Sequence, residues 1–406
     1  MSRRIQRSKA RREQQNLESS SNSLDEKFNN LRIGGNRPQK TNTTLIDNDD
    51  MEENSLNVGS KLPSQSRFGL EEKTVLQLFE NLWISKYASQ NNSINLLDDS
   101  EGQEIPDIPL SGLLKSIQQV KSDLFNREYL KAWDSDAKRE AYAIRWSSSR
   151  ALAYGCLFAE QRYIRNCLFE KEEDDKEEED DGEGNVTINQ HIKHILCIGA
   201  GAGGEVIGLS SMISKFLQKQ EINELRANER IFKVHAVDIA NWGNIINDID
   251  TYVNENWIKP NNINTAVNKV ELKFDNKDVL KMSHEELNLK NLNLITSMFT
   301  TNELISESKL ETIKFLKTLS TYCSKNCLFL IVESAGSYSN VSIGSKQFPV
   351  FFLIDMILCG KRGDENSGAW EIVDENDSIW YRVNKDIDYI LKLENMRFFY
   401  RLYRKR

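Results

Sequence analysis

The chain has 406 residues, enough for two or three domains, and carries 61 acidic against 53 basic residues for a formal net charge of −8. Its six cysteines lie in apolar contexts without a C-x-x-C pair, and its four histidines show no H-x-x-x-H spacing, which argues against a disulfide framework and a zinc site. The longest apolar run, Phe348 to Cys359, contains Asp355 and is too short to cross a bilayer, and no signal-peptide pattern opens the chain. A soluble, intracellular protein with no metal and no membrane partner is expected.

Residues 1–60 hold almost no apolar clusters, too little hydrophobic surface to offset the entropy of ordering, and read as a disordered tail. Arg3, Arg4, Arg7, Lys9, Arg11 and Arg12 occur there without an acid, the pattern of a nuclear address, an RNA-touching arm or a plain solvated tail. Val75, Leu76, Leu78, Phe79, Leu82 and Trp83 predict an amphipathic helix over Leu70 to Tyr87. A polar linker follows at 89–104. Helical spacing then continues through 110–169, so residues 62–169 are expected to form a helical cap. Glu170 to Gly184 contains eleven acids and two lysines, the core of an acidic insertion over 170–190. Without that block the remaining residues carry about +1, so the folded body can present a basic face.

From residue 191 short apolar runs alternate with amphipathic segments, the signature of a parallel sheet covered by helices. Strands are expected at Ile195–Ile198, Phe232–Val237, Val270–Phe274, Leu292–Ser297 and Cys327–Val332, with helices over about Glu205–Lys219 and Phe348–Cys359. Two further strands, Ile379–Val383 and Arg397–Tyr403, are expected to close the sheet with antiparallel pairing. This α/β pattern fits a class I, Rossmann-like methyltransferase domain over 191–406 better than a two-half dinucleotide fold.

The first strand opens onto Gly199-Ala200-Gly201-Ala202-Gly203-Gly204-Glu205, a turn whose missing side chains let a nucleotide-like ligand approach the backbone. Gly199, Gly201 and Gly204 satisfy the dinucleotide fingerprint; Gly199, Gly201 and Gly203 satisfy the looser turn of S-adenosylmethionine (SAM) enzymes. Asp238, the first acid ending a strand, lies 39 positions beyond Gly199, whereas a dinucleotide site places its ribose acid about 20 residues on. Asp238 and Asp278 suit the ribose hydroxyls and adenine of SAM, because a carboxylate can accept two hydrogen bonds at once. Glu205 would meet the cofactor's ammonium but repel a pyrophosphate; equally, the helix dipole favours an acid there whatever the function. Ile198 stands where many SAM enzymes carry an acid. The expected cofactor set is Gly199, Ala200, Gly201, Gly203, Glu205, Asp238, Asp278, Val279 and Met298.

Five segments occur in one order: Arg145-Trp146-Ser147-Ser148-Ser149-Arg150-Ala151-Leu152-Ala153-Tyr154, Met298-Phe299-Thr300-Thr301-Asn302-Glu303-Leu304, Glu333-Ser334-Ala335-Gly336-Ser337-Tyr338-Ser339, Trp380-Tyr381-Arg382 and Leu393-Glu394-Asn395-Met396-Arg397. With them the chain, over roughly 110–406, resembles the fungal large-subunit (25S) rRNA uridine-N3 methyltransferases. That family has proline where this chain has Ser148 and Ala335, which loosens two turns and removes no chemical group. The resemblance implies a SAM-dependent enzyme acting on large-subunit rRNA or a pre-ribosome in the nucleolus.

Uridine N3 must lose its hydrogen before it attacks a methyl group. Asn302 is expected to hydrogen-bond the base and Glu303 to accept the proton, with Glu333 behind it; alternatively Asn302 caps the next helix and Glu303 fills its first turn. Cys197, inside a strand, and Cys323 and Cys327, at the far end of the sheet, are misplaced for a cysteine-nucleophile route. Arg145, Trp146, Arg150, Arg397 and Arg401 are candidates to grip RNA, or else packing and surface charge. A monomer is expected. An NAD(P)-dependent oxidoreductase and a catalytically silent SAM-fold assembly factor are the alternative functions.

Overall fold

Side chains alternate along each strand of the second half, and that alternation assigns the two faces of the sheet. In the computed structural model, which describes residues 61–86, 111–126, 128–170, 189–219, 228–259, 269–335, 340–343, 346–360 and 367–406, Ile195 and Cys197 enter one hydrophobic core while Leu196 and Ile198 enter a second. Leu328, Leu330 and Val332 likewise face the first core, and Phe329 and Ile331 the second. The basic arm, the polar linker and all of the acidic run except Glu170 lie outside the described residues.

Strands β1 (Asn189–Ile198), β2 (Asn228–Asp238), β3 (Lys269–Asn276), β4 (Leu292–Met298) and β5 (Leu328–Ser334) run parallel. A separate hairpin follows, β6 (Asn340–Ile343) and β7 (Lys346–Pro349). Then β8 (Trp370–Tyr381) and β9 (Met396–Lys405) complete the main sheet, with β9 antiparallel to both β5 and β8. The order is β3-β2-β1-β4-β5-β9-β8. β1 starts at Asn189 rather than Ile195 because pairing carries the strand into polar sequence, His191 opposite Arg230 and Lys193 opposite Phe232. β8 similarly begins nine residues before the expected Ile379, through residues whose pairing to β9 an apolar run does not mark.

The first core is covered by α1 (Glu72–Phe79), α2 (Ser111–Phe125), α4 (Asp136–Tyr142), α5 (Ser148–Glu160), α6 (Arg162–Phe169), α7 (Gly204–Lys219) and α8 (Gly243–Tyr252), with the short α3 (Tyr129–Ala132) between α2 and α4. The second is covered by α9 (Thr301–Tyr322) and α10 (Val350–Leu358). The expected helix from Leu70 begins at Glu72 and widens into a π-helical turn over Glu80–Ile84. Another π-helical turn, Ala143–Ser147, joins α4 to α5 and re-aims Arg145 and Trp146. No helix of the described residues is long and apolar enough to cross a membrane.

One hydrophobic cluster runs without a break from Leu62, Phe79 and Phe158 of the cap to Ile195 and Tyr400 of the sheet. The cap is also tied to the sheet edge: the Leu62 N–H donates to the Trp380 carbonyl at 2.9 Å, and the Tyr381 hydroxyl donates to buried Glu72 at 3.1 Å. α5 and α7 approach closely at a pair of glycines, where a Cβ built on Gly208 would lie 2.8 Å from the Gly155 nitrogen. Gly208→Ala is expected to push these helices apart at a cost of about 1–3 kcal/mol. Urea denaturation checks this, and an unchanged midpoint would contradict it.

Candidate cofactor and substrate site

Beyond β1 the backbone passes through Gly199, Gly201 and Gly203 with φ of +68°, +51° and +74°, the left-handed region that glycine enters without a Cβ penalty. The three glycines are not equivalent. A Cβ on Gly199 would stand 2.3 Å from the Thr300 side chain, and one on Gly203 would stand 2.3 Å from Ile249 Cδ1, so these two make room for protein. A Cβ on Gly201 would meet only the Gly199 carbonyl oxygen, at 4.0 Å. Gly201 therefore borders open space, and it is the glycine that leaves room for a ligand.

Asp238, at the end of β2, fixes this turn: its Oδ2 accepts the Gly201 N–H at 2.9 Å and its Oδ1 the Ala240 N–H at 2.8 Å. Burial raises its pKa, with these backbone donors opposing. Ile239, next in the chain and 64% exposed, adds an apolar surface that the spacing of acids did not single out. The loops after β2 and β3 are joined by the Lys277 N–H, which donates to the Asp238 carbonyl at 3.0 Å. Asp278 caps the turn Val279–Lys281 by accepting the Leu280 N–H at 3.1 Å, and pairs with Lys281 at 2.7 Å; Val279 is buried in the second core.

Glu205, the second residue of α7, is 2% exposed, and neither carboxylate oxygen has a hydrogen-bond partner. Burial lifts its pKa to about 8, opposed by the nearby Thr296 hydroxyl, which itself donates to the Leu196 carbonyl at 3.4 Å. An orphaned carboxylate of this kind is costly unless something cationic meets it.

Across the turn, β4 ends at buried Met298 and the chain bends through Phe299, whose φ of +61° is rare for a bulky side chain and costs of order 1–3 kcal/mol. The Phe299 N–H is held by the Val332 carbonyl at 2.8 Å, and its ring stacks on Tyr154 of α5 at 6.3 Å. In the first turn of α9, both the backbone N–H and the side-chain amide of Asn302 donate to Glu333, at 2.9 and 3.0 Å. Glu333 is 2% exposed; burial pushes its pKa up to about 7, Asn302 opposes, and the charge of Glu303 adds. Asn302, expected to hydrogen-bond the base, instead has its amide on Glu333 and ties α9 to β5; Glu303 is the exposed carboxylate beside Asp238 and Arg150, at the mouth formed where the turns after β1, β2 and β4 meet. Glu303 reaches solvent, yet the groups around it desolvate its carboxylate; that raises its pKa, Asp238 adds to the rise and Arg150 opposes it.

The expected RNA residues separate. Arg145 pairs with Glu394 and donates to the Lys392 carbonyl at 3.3 Å, and Trp146 packs on Tyr142 at 5.0 Å. Arg397 is exposed, 2.8 Å from the Ser378 hydroxyl and 5.8 Å from the Trp380 ring; exposed Arg382 lies on that ring at 3.7 Å. Two positions correct the expectation. Arg401 is 3% exposed, paired with Glu375 at 2.9 Å and Asp377 at 2.5 Å, because β9 lies inside the sheet between β5 and β8 and its cation must be neutralised there. Arg150 is no surface cation either: its Cβ lies 3.2 Å from a Cβ built on Gly204, and its guanidinium donates to the Tyr142 hydroxyl at 2.6 Å.

Five parallel strands ordered 3-2-1-4-5, a reversed strand between the fifth and the edge strand, and a glycine turn pinned by an acid from the second strand define the class I methyltransferase fold. A family model of SAM-dependent methyltransferases matches residues 94–404. The 25S rRNA (uridine(2843)-N(3))-methyltransferase of Saccharomyces cerevisiae is 38% identical over 360 residues, 85% of this chain and 89% of that one. The chain belongs to this family of SAM-dependent methyltransferases. Among solved structures, the N-methyltransferase NodS from Bradyrhizobium japonicum WM9 in complex with S-adenosyl-l-homocysteine (SAH) is 10% identical, covers 71% of this chain and 98% of its own, and has a TM-score of 0.30. TehB from Haemophilus influenzae is 16% identical, covers 52% and 57%, and has a TM-score of 0.27.

The residues present fit SAM. Gly201 leaves room for it, and the unpartnered Glu205 carboxyl becomes an anion on losing its proton, which suits a cofactor with a positive ammonium and sulfonium and not a pyrophosphate. With its pKa raised on folding, Glu205 holds a proton in the native chain that it lacks in the unfolded one. Its contribution to stability is full below about pH 4.5 and is lost as pH rises toward about 8. The loss is on the order of a few kcal/mol. Thermal melts of the free protein should fall across that window, and Glu205→Gln should flatten the fall; an equally steep fall in the variant would contradict it.

Proposed function

We propose that this chain transfers the methyl group of SAM to N3 of a uridine in large-subunit rRNA. The observation that carries the reading is the 38% identity to the yeast uridine-N3 enzyme, which extends over 85% of this chain and so over both cap and sheet. The geometry at the mouth supports it. When bound, SAM supplies an electrophilic methyl on a sulfonium centre. Uridine N3 offers its lone pair only once its hydrogen is removed, so the chain needs a base with a pKa nearer neutrality than an ordinary carboxylate. Glu303 answers to that: its pKa is raised by desolvation, and it shares its surroundings with Asp238 and Arg150. Glu303 accepts the N3 proton. Asn302 acts through it as a positioning residue, because its two bonds to Glu333 set the pitch of the first turn of α9.

A uridine within folded rRNA must leave its stack to reach this mouth, where the half-buried Phe299 ring, backed by buried Tyr154, stands at the end of β4. Arg145, Trp146 and Arg397 are the residues proposed to hold the flanking strand, by phosphate contact and base stacking. A pre-ribosomal substrate and a nucleolar location follow from this reading, and the basic cluster Arg3 to Arg12 supports them.

Incubated with SAM and deproteinised large-subunit rRNA, the purified protein should yield N3-methyluridine on nucleoside mass spectrometry. Glu303→Gln should lower turnover roughly 10²- to 10⁴-fold while SAH affinity stays within about twofold. In the wild type the rate should fall with decreasing pH as Glu303 takes up a proton. A different methylated nucleoside contradicts the substrate, and near-normal turnover of the variant contradicts the base.

A further inference from the structure

Four cations gather where α5 and α7 end, at the opposite end of this helix pair from the glycine turn. Three of them surround the Phe68 ring: Arg165 at 4.1 Å, Arg67 at 4.7 Å and Lys219 at 5.2 Å from its centroid. Arg162, one turn before Arg165 on α6, lies 5.4 Å from the Tyr163 ring. Arg67, Arg162 and Lys219 are exposed, and among the described residues none of the four makes an ion pair. Burial lowers the pKa of Arg165, and the charges of Arg67 and Arg162 add to the fall; Glu160 opposes it, but that carboxylate already accepts the Ser66 hydroxyl at 2.5 Å. An arginine keeps its charge in such company, so the cluster repels itself until an anion reaches it.

The cluster is held in place by the backbone around it. The Phe68 N–H donates to the Ser66 hydroxyl at 3.2 Å, the Leu70 N–H to the Ser211 hydroxyl of α7 at 3.0 Å, and the Lys219 ammonium to the Arg67 carbonyl at 3.0 Å. α5 has 13 residues and α7 has 16, so the cluster stands about 20 Å from the glycine turn. Arg145 and Trp146, just before α5, and Arg397, beside the end of β5, belong to the other end.

We propose that Arg67, Arg162, Arg165 and Lys219 form a second contact surface for the substrate RNA, one that takes backbone phosphates remote from the mouth. The inference rests on the rRNA reading above and adds where the rest of the molecule is gripped. A strand whose uridine sits at the mouth carries further phosphates past the far end of the helix pair, and binding them there is intramolecular. An acidic protein lacks that advantage, and it would compete with the acidic run that this chain itself carries directly after α6, from Glu170 to Gly184.

The test measures binding of a deproteinised large-subunit rRNA fragment to the full chain by fluorescence anisotropy over a range of salt concentrations. Arg67→Gln, Arg162→Gln and Lys219→Gln together should weaken binding about 10- to 100-fold near about 0.1 M salt, and should reduce the slope of log affinity against log salt by about two. SAH affinity should stay within about twofold, and the KM for rRNA should rise while kcat stays near normal, a split that a merely structural role would not give. Arg162→Gln alone should cost about threefold and keeps the test open if the triple variant fails to fold. Wild-type affinity and slope in the triple variant overturn the surface alone. A zero-length carbodiimide cross-link from Lys219 to a carboxylate of 170–184 that persists at saturating rRNA also overturns it, and assigns the patch to the chain's own acidic run. A wild-type chain that binds no rRNA overturns the substrate reading and the surface with it.

Discussion

The contact between α5 and α7 governs the rest of the site. Two glycines, Gly155 and Gly208, let the backbones approach so closely that a single methyl on Gly208 would collide with the Gly155 nitrogen. That approach brings Arg150 against the start of α7 and Tyr154 against Phe299 at the end of β4. Without it the sheet would still have a glycine turn, but the turn would lack its roof. The cap therefore packs directly against the glycine turn, and its hydrophobic cluster continues into the sheet without a seam.

The parallel sheet was legible from apolar runs because buried strands have little choice of composition. The antiparallel closure by β9 agrees with the expectation from two strands following each other with no helix between them. Strand ends were less so: the polar beginnings of β1 and β8 are strands only because a neighbour pairs with them. At the site, Gly199 to Gly203, Asp238 and Glu205 could be named from spacing. Which glycine admits ligand and which admits Thr300 or Ile249 depends on atoms more than 40 positions away in the chain, and no local pattern carries that.

The arginines show the same limit more sharply. Arg145, Arg150, Arg397 and Arg401 look alike in sequence, yet the first pairs with Glu394, the second abuts the glycine turn, the third is exposed beside Trp380, and the fourth is locked between carboxylates inside the sheet. What separates them is the partner each finds. The left-handed Phe299 and the bond pair from Asn302 to Glu333 were likewise beyond reach of the sequence, since both are set by where β5 lies beside β4.

The central claim is that a buried, unpartnered Glu205 waits for the cation of the cofactor. At pH 7 a carboxyl whose pKa is about 8 is mostly protonated in the free protein, and meeting an ammonium would strip that proton. Titration of SAH into the protein at pH 7, in two buffers of different ionisation enthalpy, reads the proton count directly. The account predicts release of close to one proton per SAH bound in the wild type and none from that site in Glu205→Gln. Tight SAH binding with no buffer dependence, or with the same proton release in both proteins, would contradict it.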